Sequence, residues 1–267
     1  ATIADAEAAV NEVLKKTGAS SLAMALVDGD RLVWTEAFGL ADRESKTVPK
    51  KETLYAIGST SKMFATVAVM KLVDRGLISL DEPVVKHLKS FRMLSPEYRQ
   101  ITVRMLLNHS SGFPGTDYRN GFTTTPFKDY SAQVLETLAT LRLKHPPGYL
   151  SVYCNDGFTV VEQLIASVTG KSYPRFVEDE ILKPLGMKNS RYMLDYPPEG
   201  STAKRYDGKG RELPFMFVNV LASGGLYSTP SDMARFAMML IGKGRLGDTR
   251  ILSEKAVAEM AKDQTLG

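Results

Sequence analysis

The stretch Gly58-Ser59-Thr60-Ser61-Lys62 runs directly into an eleven-residue segment, 63–73, that is apolar almost throughout. A helix that is apolar on every side is a buried one, because no face of it is suited to water. Gly76 follows closely and supplies a common C-terminal stop for a helix. The sequence therefore predicts one buried central helix with Ser59 at its N-terminal end.

Ser59 and Lys62 are three residues apart, which places both side chains on the same face of the first helical turn. A helix N-terminus disfavours a cation, and burial disfavours a charged ammonium, so the pKa of this lysine is expected to fall. A neutral amine beside a serine hydroxyl is a general base beside a nucleophile. The alternative is a serine that caps the helix and a lysine that reaches the surface, and the Ser-x-x-Lys spacing by itself favours this alternative.

A second Ser-x-x-Lys, formed by Ser201 and Lys204, serves as an internal control. The segments on both sides of it are rich in proline, glycine and charged residues, with no apolar helix to bury the lysine. The pattern is therefore expected to have chemical meaning at 59–62 and none at 201–204.

Composition excludes several classes of protein. The 267 residues are 43% hydrophobic and 24% charged, as in ordinary globular proteins. The 34 Lys and Arg residues alternate with 30 acidic ones and form no tract, so no nucleic-acid partner is expected. No apolar run reaches the length of a membrane span, and no signal segment opens the chain. One cysteine and three scattered histidines predict neither an internal disulfide nor a metal site, and no cofactor is expected.

Periodicity predicts a mixed order of helices and strands. A helix over 2–16 ends at Gly18, and two strands, 21–27 and 31–39, flank Asp28-Gly29-Asp30, a strong hairpin signal. Further helices are predicted at 101–108, 131–141, 156–170, 173–182, 231–240 and 253–261.

Tyr153 and Asn155 lie two residues apart, just before the helix predicted at 156–170. If this turn faces Ser59, a phenol able to relay a proton and a carboxamide able to hold Lys62 would meet at the hydroxyl. The alternative is a tyrosine that only packs its ring and an asparagine that caps the helix, and the spacing alone favours it.

Several stretches, in the same order, resemble the serine β-lactamase and penicillin-binding-protein superfamily, in the branch of class C β-lactamases, D-alanyl-D-alanine carboxypeptidases and family VIII esterases. They are 55–62 (YAIGSTSK), 72–83 (LVDRGLISLDEP), 101–112 (ITVRMLLNHSSG), 147–148 with 153–155 (PG, YCN), 184–187 (PLGM) and 223–236 (SGGLYSTPSDMARF). This resemblance covers nearly the whole chain.

The resemblance implies an α+β fold of the β-lactamase/transpeptidase type, in which an antiparallel sheet flanked by helices adjoins an all-helical lobe. Residues 1–78 and 199–267 would form the α/β lobe, and residues 79–198 the mostly helical lobe. The resemblance further implies that Ser59 is the nucleophile, Lys62 its base partner and Tyr153 the proton relay. Asn155 would bind the substrate and orient the lysine, and the Ser59 backbone N–H would be one oxyanion donor.

The chain departs from the family pattern in two ways. The family carries a third motif, Lys-Thr-Gly or His-x-Gly, on a strand after the second motif, and nothing beyond Asn155 fits it. Residues 16–18 read Lys-Thr-Gly, but they end the first predicted helix. We therefore expect the C-terminal strands to be missing from this chain and the third motif to lie in a further segment or a second chain. Gly224 aligns where class C β-lactamases carry a tyrosine beside the acyl bond, so we include it, with Asn155, among the substrate-binding residues.

These inferences favour an active-site serine hydrolase that forms an acyl-enzyme on an ester, amide or β-lactam carbonyl, with an esterase or D-Ala-D-Ala-type peptidase preferred. The alternatives are a true class C-like β-lactamase and a non-catalytic receptor that binds penicillin or cell-wall peptides. The expected partner is a small-molecule or peptide substrate. The expected location is periplasmic, secreted or in the cell envelope, with the cytoplasm as the alternative.

Overall fold

The computed structural model of the protein describes residues 2–264. Helix α1, Ile3–Thr17, begins with a capping box in which the Thr2 and Asp5 side chains each bond the backbone N–H of the other. It ends at Gly18, whose φ of +67° is the left-handed conformation that glycine adopts at helix ends. The Lys-Thr-Gly at 16–18 therefore ends a helix, as predicted.

The predicted hairpin is present as strands β1, Ser21–Asp28, and β2, Arg31–Gly39, in antiparallel register from Ser21↔Gly39 to Asp28↔Arg31. Gly29 makes the turn with a φ of +60°. Within residues 2–264, β1 pairs with β2 alone. Helices α1 and α8 (Pro230–Ile241) both pack against the hairpin.

The buried central helix is confirmed as α2, Ser61–Asp74, but it begins two residues later than predicted. The nucleophile candidate Ser59 lies instead in a 3₁₀ turn, Gly58–Thr60, that leads into α2. Ten residues of α2 are buried, among them Phe64, which stacks on Phe236 of α8 with ring centroids 4.0 Å apart. The helix is held by packing on all sides, so the turn at its start has a fixed position.

The other predicted helices lie within two residues of their predicted bounds, whereas the short helix at 221–224 was not predicted. The predicted 173–182 helix is a short α-helix that continues as one π-helical turn, Glu178–Leu182. The helices are α3 Val103–Leu107, α4 Tyr130–Ala139, α5 Asn155–Thr169, α6 Tyr173–Val177, α7 Leu221–Gly224 and α9 Glu254–Met260. None of the helices in the described part of the chain combines the length and apolar content that crossing a bilayer requires.

The other strands are two or three residues long and lie in small antiparallel sheets. They are β3 Tyr55–Ala56, β4 Phe122–Thr123, β5 Arg191–Tyr192, β6 Arg205–Tyr206, β7 Glu212–Leu213, β8 Phe217–Val218, β9 Leu226–Ser228, β10 Arg245–Leu246 and β11 Thr249–Arg250. This combination of helices and antiparallel sheets agrees with the expected α+β class. The division into lobes at 1–78, 79–198 and 199–267 stays a prediction.

One of these sheets fixes the start of α2. Its order is β3-β9-β5, so the strand that leads into the 3₁₀ turn is paired with β9. The Leu226 backbone N–H donates to the Ser61 hydroxyl at 3.1 Å, and the Ile57 N–H donates to the Leu226 carbonyl at 3.1 Å. Segment 226–228 is thereby joined to both sides of Ser59.

Candidate active site

Ser59 is exposed at the end of an otherwise buried helix. The preceding residue, Gly58, has a φ of +55°, which a residue with a side chain rarely adopts. This conformation turns the chain from β3 into the helical turn. The serine hydroxyl is therefore presented to solvent from a rigid base.

Lys62 is 8% exposed, and its Nζ has three neighbouring oxygens. Two are at 2.8 Å, Asn155 Oδ1 and the Ser223 carbonyl, and the third is Ser59 Oγ at 3.4 Å. A neutral amine has two N–H donors and one lone pair. If the two short contacts take the two N–H groups, the lone pair is left to face Ser59. Burial lowers the pKa of Lys62, which favours this neutral form.

Tyr153 completes the contact to the serine, since its Oη lies 2.8 Å from Ser59 Oγ. Lys62 Nζ is 4.7 Å from the centre of the Tyr153 ring. Partial burial acts to raise the pKa of the phenol, but the interactions with Lys62 and Ser59 outweigh it and lower the pKa. Ser59 thus has a candidate base and a candidate acid on either side.

Asn155 is the first residue of α5, yet its side chain does not cap that helix. Its Oδ1 accepts from Lys62, and its Nδ2 donates to the Tyr118 hydroxyl at 3.3 Å. Its backbone N–H donates to Thr116 Oγ1 at 3.0 Å. The interpretation of Asn155 as a simple helix cap is therefore wrong.

Cys154, between the two site residues, is buried and packs inward. Its Sγ lies 3.2 Å from the Gly115 carbonyl, and its backbone N–H donates to His109 Nδ1 at 3.2 Å. The His109 ring lies against that of Tyr153, with centroids 4.5 Å apart. Burial lowers the pKa of His109, which keeps Nδ1 free to accept.

His109 therefore supports Tyr153 from behind, in addition to shaping the turn in which it lies. Its φ of +62° is unusual for a residue other than glycine. The imidazole buttresses the Tyr153 ring and holds the backbone beside it. The sequence alone could not predict this contact, because His109 and Tyr153 are 44 positions apart.

One of the three oxygens near Lys62 Nζ, the Ser223 carbonyl, belongs to the backbone and could not be found from side-chain motifs. It lies in α7, whose Ala222 N–H donates to Glu162 Oε1 at 2.8 Å. Glu162 is 5% exposed, and burial raises its pKa to about 8. A glutamate within the apolar stripe of α5 was the available signal for this contact.

Gly224, the remaining candidate, also lies beside the nucleophile. A Cβ atom placed on it would be 3.6 Å from Val218 Cγ1, 3.6 Å from Val220 Cγ2 and 4.0 Å from the Gly58 carbonyl carbon. A Cβ at this position would thus be in ordinary van der Waals contact with Val218 and Val220 and close to the turn that carries Ser59.

The second Ser-x-x-Lys forms no comparable cluster. Ser201 Oγ donates to the Pro198 carbonyl, and Lys204 Nζ pairs with Asp42 and Glu212, both at 3.0 Å. These are surface contacts, as the absence of a burying helix predicted. Among the described residues, no three His, Cys, Asp or Glu side chains gather into a group that could hold a metal ion.

Comparisons with known proteins identify the family and the fold of the chain. The model of the family described as Beta-lactamase matches residues 6–267. The chain is 27% identical over 255 residues to a putative penicillin-binding protein PbpX of Bacillus subtilis, covering 94% of this chain and 61% of that protein. It is 28% identical over 227 residues to the D-alanyl-D-alanine-carboxypeptidase/endopeptidase AmpH of Escherichia coli K12, covering 82% of this chain and 57% of that protein.

Among solved structures, an octameric penicillin-binding protein homologue from Pyrococcus abyssi superposes with a TM-score of 0.82 and 28% identity. The superposition covers 98% of this chain and 60% of that one. The chain thus spans about three-fifths of the length of these relatives. The α+β fold of the β-lactamase and penicillin-binding-protein type is confirmed.

Proposed function

The chain belongs to the Beta-lactamase family, and on that premise we propose that it is an active-site serine hydrolase working through an acyl-enzyme. The observation that carries this proposal is the position of Ser59 Oγ, 2.8 Å from Tyr153 Oη and 3.4 Å from Lys62 Nζ. A hydroxyl between a buried amine and a phenol is placed for proton transfer on both sides.

In the proposed reaction, Ser59 Oγ attacks the substrate carbonyl carbon while Lys62 Nζ takes the hydroxyl proton. The backbone N–H of Ser59 is a donor for the oxyanion, helped by the start of the helix. When the carbon–leaving-group bond breaks, Tyr153 gives a proton to the departing oxygen or nitrogen. The proton that Lys62 took from Ser59 then passes to Tyr153 and restores both groups. Water next attacks the acyl carbon of the ester on Ser59; one water proton is taken by the base and delivered to Ser59 Oγ as the bond between Oγ and the acyl carbon breaks, and the acid leaves.

Asn155 and the Ser223 carbonyl position the base in this scheme. They accept the two N–H groups of neutral Lys62 and leave its lone pair toward the serine. Loss of either contact allows the amine to rotate away from Ser59. Both are therefore positioning groups, and Asn155 is also placed to bind the substrate amide or ester.

Within this class we propose an esterase or a D-Ala-D-Ala-type peptidase rather than an efficient β-lactamase. Gly224 supports this choice, because it places no side chain near Gly58 at the position where, by the resemblance, class C β-lactamases carry a tyrosine. The similarity to AmpH, a D-alanyl-D-alanine-carboxypeptidase/endopeptidase, supports a peptide substrate. We further propose a location outside the cytoplasm.

The first test is covalent labelling with a fluorophosphonate and with a fluorescent penicillin, followed by mass spectrometry of the adduct. We expect the label on Ser59 and its loss in Ser59→Ala. The matched control is Ser201→Ala, which alters the other Ser-x-x-Lys and should leave labelling intact. Labelling that persists in Ser59→Ala would overturn the assignment.

The second test compares steady-state turnover of p-nitrophenyl butyrate, nitrocefin and a D-Ala-D-Ala peptide. We expect the ester or the peptide to be turned over faster than nitrocefin. Nitrocefin turnover a hundredfold above the ester, equivalent to about 2.7 kcal/mol in barrier height, would favour a true β-lactamase. Labelling of Ser59 without turnover of any substrate would favour a receptor.

A further inference from the structure

An uncharged strip of side chains borders one side of the active-site cluster. It consists of Tyr118, Phe122 and Val218, and we call it the apolar strip. Tyr118 and Phe122 stack with ring centroids 6.0 Å apart and an interplanar angle of 26°. They are 57% and 43% exposed, which is unusual for two large stacked rings on a surface loop.

Val218 extends the strip across a pair of strands. It is the direct antiparallel partner of Phe122 in the β4–β8 pair. Residues directly opposite in such a pair point their side chains to the same face. Val218 and Phe122 therefore form one continuous surface.

Both ends of the apolar strip reach the active-site cluster. At one end, Val218 lies beside Gly224, since a Cβ placed on that glycine would be 3.6 Å from Val218 Cγ1 and 4.0 Å from the carbonyl carbon of Gly58. At the other end, the Tyr118 hydroxyl accepts from the Nδ2 of Asn155, whose Oδ1 holds Lys62. The strip thus borders one side of Ser59 from Gly224 to Asn155.

The strip is held in place by polar contacts behind it. Asn219 Nδ2 donates to the Asn120 carbonyl at 2.8 Å and to Thr123 Oγ1 at 2.9 Å, and its N–H donates to the Gly121 carbonyl at 2.9 Å. The charges nearest in sequence neutralise each other, since Arg119 pairs with Asp117 at 2.8 Å. The surface offered to a ligand is rigid and uncharged.

We propose that the apolar strip binds the acyl part of the substrate, and that this part is an uncharged aromatic or branched apolar group. This inference rests on the proposed function. The acyl side is assigned because the leaving group must face Tyr153, the proposed proton donor, which is not part of the strip. The acyl group then extends from the carbonyl past Asn155 and Gly224 onto the rings of Tyr118 and Phe122.

The test uses two esters with the same leaving group, p-nitrophenyl acetate and p-nitrophenyl phenylacetate. We expect kcat/KM to favour the phenylacetate in the wild type, and Phe122→Ala and Tyr118→Ala each to lower the phenylacetate-to-acetate ratio about tenfold. Tyr118→Phe keeps the ring and should keep most of that ratio. Val33→Ala, an exposed apolar change on the hairpin, should leave it unchanged. Both rings are exposed, so these variants are expected to fold, and circular dichroism verifies that they do.

The outcomes separate this inference from the proposed function. If Ser59 is labelled and esters are cleaved, but the ratio is the same in wild type and in both alanine variants, the acyl assignment is overturned alone. A second series of esters keeps the acyl group constant and varies the alcohol. If the alanine variants change the relative kcat/KM values within that series instead, the leaving group lies on the strip. If Ser59 takes no label and no ester is cleaved, the proposed function and this inference fall together.

Discussion

Replacing Glu162 by glutamine is expected to change how the stability of the protein depends on pH. Glu162 is buried on α5 and accepts the Ala222 N–H at 2.8 Å. Burial disfavours its charged form and raises its pKa from the usual 4.5 to about 8, against the opposing effect of the backbone hydrogen bonds. The folded protein therefore holds a proton on this carboxyl over a pH range in which the unfolded chain has released it.

The sign of the effect follows from proton linkage. Between pH 4.5 and 8 the native state binds more protons than the unfolded state, so the free energy of unfolding falls as pH rises. One tenfold change in proton affinity is worth about 1.36 kcal/mol, which sets a ceiling of about 5 kcal/mol for this carboxyl across the window. Local relaxation and water entry reduce such values. We therefore expect the free energy of unfolding to fall by about 2–5 kcal/mol between pH 4.5 and 8 because of this carboxyl.

Glutamine keeps an oxygen that can accept the Ala222 N–H but does not titrate. We therefore expect Glu162→Gln to be no more stable than the wild type at pH 5 and more stable at pH 9. Urea unfolding at several pH values, followed by circular dichroism, measures the difference. Asp156→Asn is the matched control, because burial raises the pKa of Asp156 to about 7 only. Its profile should already run parallel to the wild type between about pH 7 and 8, where that of Glu162→Gln still diverges from the wild type. Wild-type and Glu162→Gln profiles that are parallel from pH 5 to 9 would refute the reasoning.

The remaining predictions concern the site and the core. Tyr153→Phe should lower kcat roughly 10²–10⁴-fold with a smaller effect on binding, as for a lost general acid, and near-normal turnover would mean that the phenol only packs. In His109→Asn, asparagine tolerates the left-handed backbone but removes the ring beside Tyr153. This variant should lower kcat about 10- to 100-fold while a thermal melt shows little change. An unaltered kcat would mean that the imidazole does not position the phenol. Phe64→Ala should reduce the free energy of unfolding by about 3–5 kcal/mol in urea, because it removes a fully buried ring stacked on Phe236, and a loss below 1 kcal/mol would contradict the packing described.

Local chemistry explains which parts of the fold could be predicted from the sequence. The Asp28-Gly29 turn determines its own geometry, and the apolar segment 63–73 can only be a buried helix, so both appear as expected. The two- and three-residue strands could not be predicted, because too few residues exist to establish a period of two. The start of α2 was also misplaced, since a 3₁₀ turn and an α-helix share the same local sequence preferences.

The same distinction applies to the candidate site. Ser59 and Lys62 are neighbours on one turn, so their contact follows from spacing. The contact of Lys62 with the Ser223 carbonyl joins residues 161 positions apart and depends on how α7 packs against α5. Spacing carries no information about such a contact.

The single cysteine of the chain provides a natural reporter of motion at the site. Cys154 lies between Tyr153 and Asn155, is 3% exposed, and directs its thiol at the Gly115 carbonyl. A thiol reagent can reach it only when segment 115–118 separates from the start of α5. The rate of labelling under native conditions therefore measures the free energy of that local opening. A substrate that bridges Asn155 and Tyr118 should slow the labelling, so binding can be followed at a cysteine between Tyr153 and Asn155 without any engineered probe.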